Sequence, residues 1–309
     1  MNEPHARPSE SAEMYPDTSR LRAMLAELHG VKEDQVLPTA GADQALDAAC
    51  RAAVGGAALI LAPDFPRYLH HSTNAGHAVV TVKIGDYPFA FPAGALLAAA
   101  APATTLIIVS TVGNPTGVRP PTGLFEELRR RAPRALLVID EVYSPFTGDD
   151  YCMFAATKSD VISVRSLSKI GFPGLRVGYA VGSAETLRAL GRFVSPFAIA
   201  TASVERAVGV VRMHGSWSGT IKRQVAARDW LADELAGRGV KVSASPGNWL
   251  LAYFGAETAD VTASLKEGGV LVQPQSAPEL KGWLRISTPD LESVSALLGA
   301  LETITVRRS

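Results

Sequence analysis

Between Val36 and Val181, short apolar, β-prone runs alternate with Ala-, Leu- and Arg-rich stretches. This alternation restricts the chain to an α/β architecture of βαβ units around a mostly parallel sheet. The expected strands are Ala57–Ala62, Ala78–Val82, Thr105–Ser110, Leu136–Ile139, Val161–Val164 and Val177–Val181, and the expected helices are Ala42–Val54, Arg67–Gly76, Pro92–Ala101 and Thr122–Ala132. Each strand is apolar on both faces, the pattern of a sheet covered by helices on both sides. After Pro196 the texture changes. Trp217–Leu235 reads as one amphipathic helix ended by Gly237 and Gly239, followed by strands Val240–Ser243, Trp249–Phe254, Val270–Val272 and Trp283–Ser287 and helices Ala259–Glu267 and Leu291–Leu301. These elements predict a second, α+β lobe with its own core, and 309 residues suit two lobes.

The 30 basic side chains balance 30 acidic ones, and no charged tail or patch points to nucleic acid or an anionic membrane. A small molecule is the expected partner. Cys50 and Cys152 form no CxxC, and no His/Cys cluster has zinc-ligand spacing, so two buried thiols and no metal are expected. The opening MNEPHARPSESAEMYPD lacks the basic-then-apolar plan of a signal peptide, and no apolar run reaches the ~18 residues of a membrane span. A cytoplasmic, reducing environment is the expectation.

Four segments carry candidate chemistry. Ser166-Leu167-Ser168-Lys169, with Gly171, Pro173-Gly174 and Arg176 behind it, follows a strand at the end where open α/β sheets bind ligands. A partly buried, cationic pocket depresses a lysine pKa, which frees the amine to form an imine. The two serines and the arginine supply donors suited to a phosphate; a surface turn with a solvated lysine is the plainer reading. Val138-Ile139-Asp140-Glu141-Val142-Tyr143 is a buried strand that ends in two carboxylates and a phenol. Such a carboxylate needs a partner, which a protonated pyridinium would supply; the segment also reads as a capped helix start. In Gly113-Asn114-Pro115-Thr116-Gly117, turn chemistry accounts for Pro and Gly, while Asn114 could hold a phenolate oxygen. Thr39-Ala40-Gly41-Ala42-Asp43 opens a helix, whose free backbone amides bind phosphate well, with Asp43 an alternative N-cap.

In this order the segments GAD, NPTG, DEVY and SLSK with PGLR resemble the fold-type I pyridoxal-5′-phosphate (PLP) aminotransferases of class I/II, most closely their histidinol-phosphate aminotransferase-like branch. The resemblance extends to Met14-Tyr15-Pro16-Asp17, Pro63-Asp64-Phe65, Gly247-Asn248-Trp249-Leu250 and Trp283-Leu284-Arg285-Ile286. It implies an N-terminal arm over 1–14, a large PLP-binding domain over 15–212 and a small α+β domain over 213–309. It further implies that Lys169 carries PLP as a Schiff base and moves the substrate proton, that Asp140 pairs with the pyridine nitrogen, and that Asn114 and Tyr143 contact the phenolic oxygen. Phe65 would stack on the ring. The Ala42 and Asp43 amides, Ser166, Ser168 and Arg176 would hold the phosphate, and Tyr15 would reach it from the other subunit of a homodimer with shared sites. Arg285 would clamp the α-carboxylate of an amino acid, with a keto acid as second substrate in a ping-pong cycle.

Three departures from the pattern stand out. The arm is short, with Asn2-Glu3-Pro4 a remnant of the family's NENP segment. Lys169 and Arg176 are seven positions apart, one fewer than in familiar members. Gln273 stands where histidinol-phosphate aminotransferases carry an arginine for the substrate phosphate; an amide offers no charge, so an unphosphorylated substrate is expected. Decarboxylation, β-elimination or cyclisation would start from the same covalent intermediate, but Arg285 favours keeping the carboxylate. A noncatalytic PLP-fold sensor or partner subunit conflicts with intact Lys169, Asp140, Asn114 and Arg285.

Overall fold

The structure, a computed structural model, describes residues 14–53 and 55–308. Apart from Met14, the arm 1–14 with Asn2-Glu3-Pro4 lies outside the described residues, as does Val54, the expected end of the helix from Ala42. Seven strands, β1 (Val36–Thr39), β2 (Ala57–Ala62), β3 (Ala78–Lys83), β4 (Thr104–Ser110), β5 (Leu136–Asp140), β6 (Val161–Ser166) and β7 (Gly178–Gly182), form one sheet in the order β1-β7-β6-β5-β4-β2-β3. The five strands from β3 to β6 run parallel; β7 is antiparallel to both its neighbours, β6 and β1, so β1 shares the direction of the five.

Helices seal both faces. On one, Leu96 of α4 (Ala93–Ala99) and Leu124, Phe125 and Leu128 of α5 (Leu124–Arg131) pack on Leu59, Ile107, Leu137 and Ile139. On the other, α2 (Gly41–Ala52) sets Ala45, Leu46 and Ala49 against Ile60, Ile108, Val138 and Val164, with Tyr68 of α3 (Arg67–Asn74) beside them. Central β5 is buried throughout, and its run Leu136–Ile139 contributes on the order of 2 kcal/mol per large side chain withdrawn from water. Expected burial fails at β3: only Val82 is buried and Val80 is 43% exposed. As the outermost strand β3 pairs on one side only.

The second sheet, β8 (Lys241–Ala244), β9 (Trp249–Tyr253), β10 (Gln273–Pro274) and β11 (Trp283–Ser287), is antiparallel in the order β10-β11-β9-β8. The long α10 (Trp217–Gly237), α11 (Thr258–Glu267) and α12 (Leu291–Arg308) cover it around Leu231, Leu250, Leu265, Leu284 and Leu297. The expected strand Val270–Val272 is absent. The Val270 N–H instead bonds the Leu265 carbonyl at 2.8 Å behind left-handed Gly269, closing the end of α11, and pairing begins only at Gln273. Among the described residues no helix is long and apolar enough to cross a membrane.

The start of β7 presses on the N-terminus of α2: a Cβ added at Gly178 would lie 2.4 Å from the Ala42 nitrogen. Backbone atoms cannot swing aside as a side chain can. Gly178→Ala should therefore destabilise the apoprotein by about 1–3 kcal/mol, the range of overpacking, measured by urea unfolding. An unchanged midpoint would show that this contact yields freely.

Candidate active site

The carboxyl ends of β4, β5 and β6, together with the N-terminus of α2, line a cleft that opens to solvent. Lys169 enters it from the turn after β6, with its ammonium 5.2 Å from the centre of the Tyr143 ring.

At one end of the cleft, donors of three kinds gather. Ser166 and Ser168 line it, the Ser168 N–H bonding the Ser166 hydroxyl at 3.0 Å. Ala42 and Asp43 lie in the first turn of α2, where backbone amides have no partner within the helix. The Arg176 guanidinium joins them, and Gly41 makes room for it: a Cβ there would sit 2.7 Å from Arg176 Nη2. Arg176 itself adopts a left-handed φ of 53°, a conformation uncommon for residues other than glycine, so the seven-residue span from Lys169 ends in a tight reversal that delivers the side chain. Asp43 is not an N-cap, because α2 begins two residues before it. Its carboxylate accepts from Arg67 (3.0 and 3.2 Å) and His71 (3.0 Å). Burial pushes this carboxyl up, but Arg67 and His71 outweigh it and hold the group below the usual range. The acid is thus neutralised, and the helix terminus can receive an anion.

The two adjacent carboxylates part company at the end of β5. Asp140 faces the cleft, 3% exposed, and accepts from the Tyr68 hydroxyl (2.6 Å) and the Val142 N–H (3.0 Å). Burial pushes its carboxyl up; Tyr68, Val142 and the charge of Lys169 oppose this without cancelling it. A cationic ring nitrogen is the partner such a group lacks. Glu141 turns the other way, toward Ser163, Arg165 (3.1 Å) and the Tyr151 N–H, and lines a second cleft with Asp150 and His29.

Phe65, Asn114 and Tyr143 line the first cleft as the sequence predicts. Arg285, on β11, lies with its Nη2 3.3 Å from the Tyr143 hydroxyl and its guanidinium 4.8 Å over the Trp249 ring. Among the described residues its Nε finds no hydrogen-bond partner. Gln273 is exposed and is the register partner of Arg285, so the two share one face of the small sheet. Tyr15 is 79% exposed, stacked on Phe197 at 4.7 Å, and is not part of the cleft wall. Sequence reasoning assigns no role to Tyr68, Ser110, Asp64 or Trp249, all of which support the site. Trp249 is fully buried, contacts the Tyr143 ring at 4.4 Å and donates its Nε1–H to the Pro115 carbonyl at 2.9 Å; a Tyr three residues after Phe65 was the only signal for Tyr68.

A lysine amine, an anion-binding helix terminus and an undercompensated buried carboxylate fit PLP, and together with the sheet they define a fold-type I PLP enzyme. The chain belongs to the aminotransferase class I and II family, whose pattern matches residues 2–301, and PLP is its cofactor. It is 31% identical over 283 residues to the histidinol-phosphate aminotransferase of Paracoccus denitrificans, covering 89% of this chain and 77% of that one. It is 30% identical to histidinol-phosphate aminotransferase 2 of Gluconobacter oxydans, over 97% of this chain and 86% of that one. Two crystal structures share the fold: histidinol-phosphate aminotransferase from Sinorhizobium meliloti in complex with PLP (TM-score 0.85, 22% identity, 97% and 85% coverage) and L-threonine-O-3-phosphate decarboxylase from Porphyromonas gingivalis (0.80, 23%, 96% and 91%).

Beside the cleft, burial pushes the Asp64 carboxyl up to about 7 despite bonds from Asn114, Ser110 and Phe65. An unfolded aspartate titrates near pH 4. The folded form therefore holds a proton that the unfolded chain has released, a stabilisation complete below about pH 4 and lost as pH rises through about 7. The stability of the apoprotein relative to Asp64→Asn should fall between about pH 4 and 7. A constant difference in chemical denaturation would show that Asp64 is ionised throughout.

Proposed function

We propose that this aminotransferase acts on an unphosphorylated α-amino acid and a keto acid by a ping-pong mechanism. The observation that carries the reading is the pairing of Arg285 with Gln273: a guanidinium faces the Tyr143 side of the cleft, while the neighbouring position on the same sheet face bears a neutral amide. The curated relatives named above are histidinol-phosphate aminotransferases. Among the described residues the cations lining the cleft are Lys169 and Arg176, with Arg285 beside Tyr143; the first serves the chemistry, the second the cofactor phosphate and the third the substrate carboxylate. A substrate phosphate would have no cation to itself at the position of Gln273, and burying it unpaired leaves several kcal/mol of desolvation unmet.

In this reading Lys169 holds the cofactor through its amine and later shuttles the substrate Cα proton. PLP supplies an electron sink that takes up the charge left at Cα. Asp140, fixed by Tyr68, would keep the ring nitrogen protonated; Asn114 and Tyr143 would hold the phenolic oxygen, and Phe65 would pack against the ring. Ser166, Ser168, Arg176 and the amides of Ala42 and Asp43 bind the phosphate. Arg285 retains the substrate carboxylate, which sets transamination apart from decarboxylation. Tyr15, exposed beside Phe197, would complete the partner's site in a homodimer, and the chain would divide into domains near residue 212.

Two measurements test the substrate class. Steady-state comparison of histidinol phosphate with a panel of free amino acids should favour a free amino acid, and Gln273→Arg should shift kcat/KM toward phosphorylated donors by roughly tenfold or more, the worth of one charge-assisted bond. Preference of the wild type for the phosphate ester would sink the proposal. Arg285→Lys should raise KM for the best amino acid, because an ammonium cannot reproduce two parallel bonds to a carboxylate; an unchanged KM would remove Arg285 from the site.

A further inference from the structure

We infer that Asp64 is a positioning residue of the cofactor site, a carboxyl staple that locks Phe65 and Asn114 into one frame with the wall carrying Tyr68 and Asp140. The inference rests on the reading above that Phe65 and Asn114 meet the cofactor ring. Asp64 lies between the end of β2 and the start of α3. Its Oδ1 accepts the N–H of Phe65 at 2.7 Å and the N–H of Asn114 at 2.9 Å, while Oδ2 accepts the Ser110 hydroxyl at 2.7 Å. One side chain thus joins the segment that presents a ring to the segment that presents an amide, across two adjacent strands of the sheet.

The third bond extends the frame. Ser110 ends β4 and is the register partner of Asp140 on β5. The Tyr68 hydroxyl bonds Asp140 at 2.6 Å, and the Tyr68 ring meets Phe65 edge-on at 5.6 Å. Four side chains that line the cleft, Phe65, Tyr68, Ser110 and Asp140, therefore share a single anchor. A carboxyl suits the place because Oδ1 accepts both backbone amides in either protonation state, while Oδ2 accepts from the Ser110 hydroxyl when ionised and can donate to it when protonated. Asparagine would keep the oxygen for the two backbone amides and turn its NH₂ toward Ser110, whose hydroxyl can accept instead. Alanine would strand both amides.

The test is a PLP titration of the apoproteins of wild type, Asp64→Asn, Asp64→Ala and Asn114→Ala. It is followed by visible absorbance and visible circular dichroism, which reports the orientation of the bound ring, with thermal unfolding of each apoprotein in parallel. Asp64→Ala should bind PLP about 10- to 100-fold more weakly, the range of a lost buried hydrogen bond, with a diminished dichroic band. Asp64→Asn should restore the band and bring affinity within about threefold of wild type. Wild-type affinity and dichroism in Asp64→Ala would overturn the inference, and so would a folded Asp64→Asn as defective as alanine, since charge rather than geometry would then matter. If Asp64→Ala does not fold, Asp64→Ser, which keeps one acceptor on a shorter arm, replaces it under the same two criteria. An Asn114→Ala variant that binds PLP normally would instead refute the ring contact assigned to Asn114, whereas loss in that variant alone would refute only the staple.

Discussion

Asp140 is a carboxylate withdrawn from water at the end of a strand buried along its whole length, and much of the site is arranged around that burial. Tyr68 and the Val142 amide satisfy two directions of the carboxylate, and Lys169 adds a distant charge, yet the group still lacks a close cation. The electron-sink chemistry of PLP needs a ring nitrogen that stays protonated, and a desolvated anion stabilises that proton far more than a solvated one does. The parallel sheet is what makes the arrangement affordable: Leu137, Val138 and Ile139 hold the strand in place, so the polar end can be costly without unravelling the fold.

Much of this was legible in the sequence, for reasons that differ by element. The strands β2, β4, β5 and β6 announce themselves because burial on both faces demands uninterrupted apolar runs, and the motifs follow because ligand-binding residues cluster where such runs end. The misreading of Val270–Val272 has a specific cause: an apolar triplet is consistent with a strand or with the cap of a preceding helix, and left-handed Gly269 decides for the cap. The exposure of β3 was hidden because composition does not reveal which strand lies at the edge. Asp43 reads as a possible cap in sequence because its partners, Arg67 and His71, lie on α3, more than twenty residues away. The roles of Tyr68 and Trp249 come from contacts with Asp140 and Pro115, which no local pattern encodes.

The phosphate end of the cleft shows how small residues carry function without touching ligand. Gly178 admits β7 to the backbone of α2, and Gly41 admits the Arg176 guanidinium. Across the seven-position span from Lys169, Arg176 takes a left-handed turn that sets its guanidinium against Gly41 at the start of α2. Backbone conformation thus absorbs the shorter spacing, and the side chain still reaches the wall of the cleft.

The two-residue strand β10 contributes almost nothing to the core: Gln273 and Pro274 are both exposed, and the cluster beneath the small sheet is built from other elements. Exposed positions away from packed features change folding energy by no more than about half a kcal/mol when substituted. The side chain at position 273 can therefore be exchanged with little effect on the fold, while backbone pairing keeps that position opposite Arg285 whatever side chain it bears.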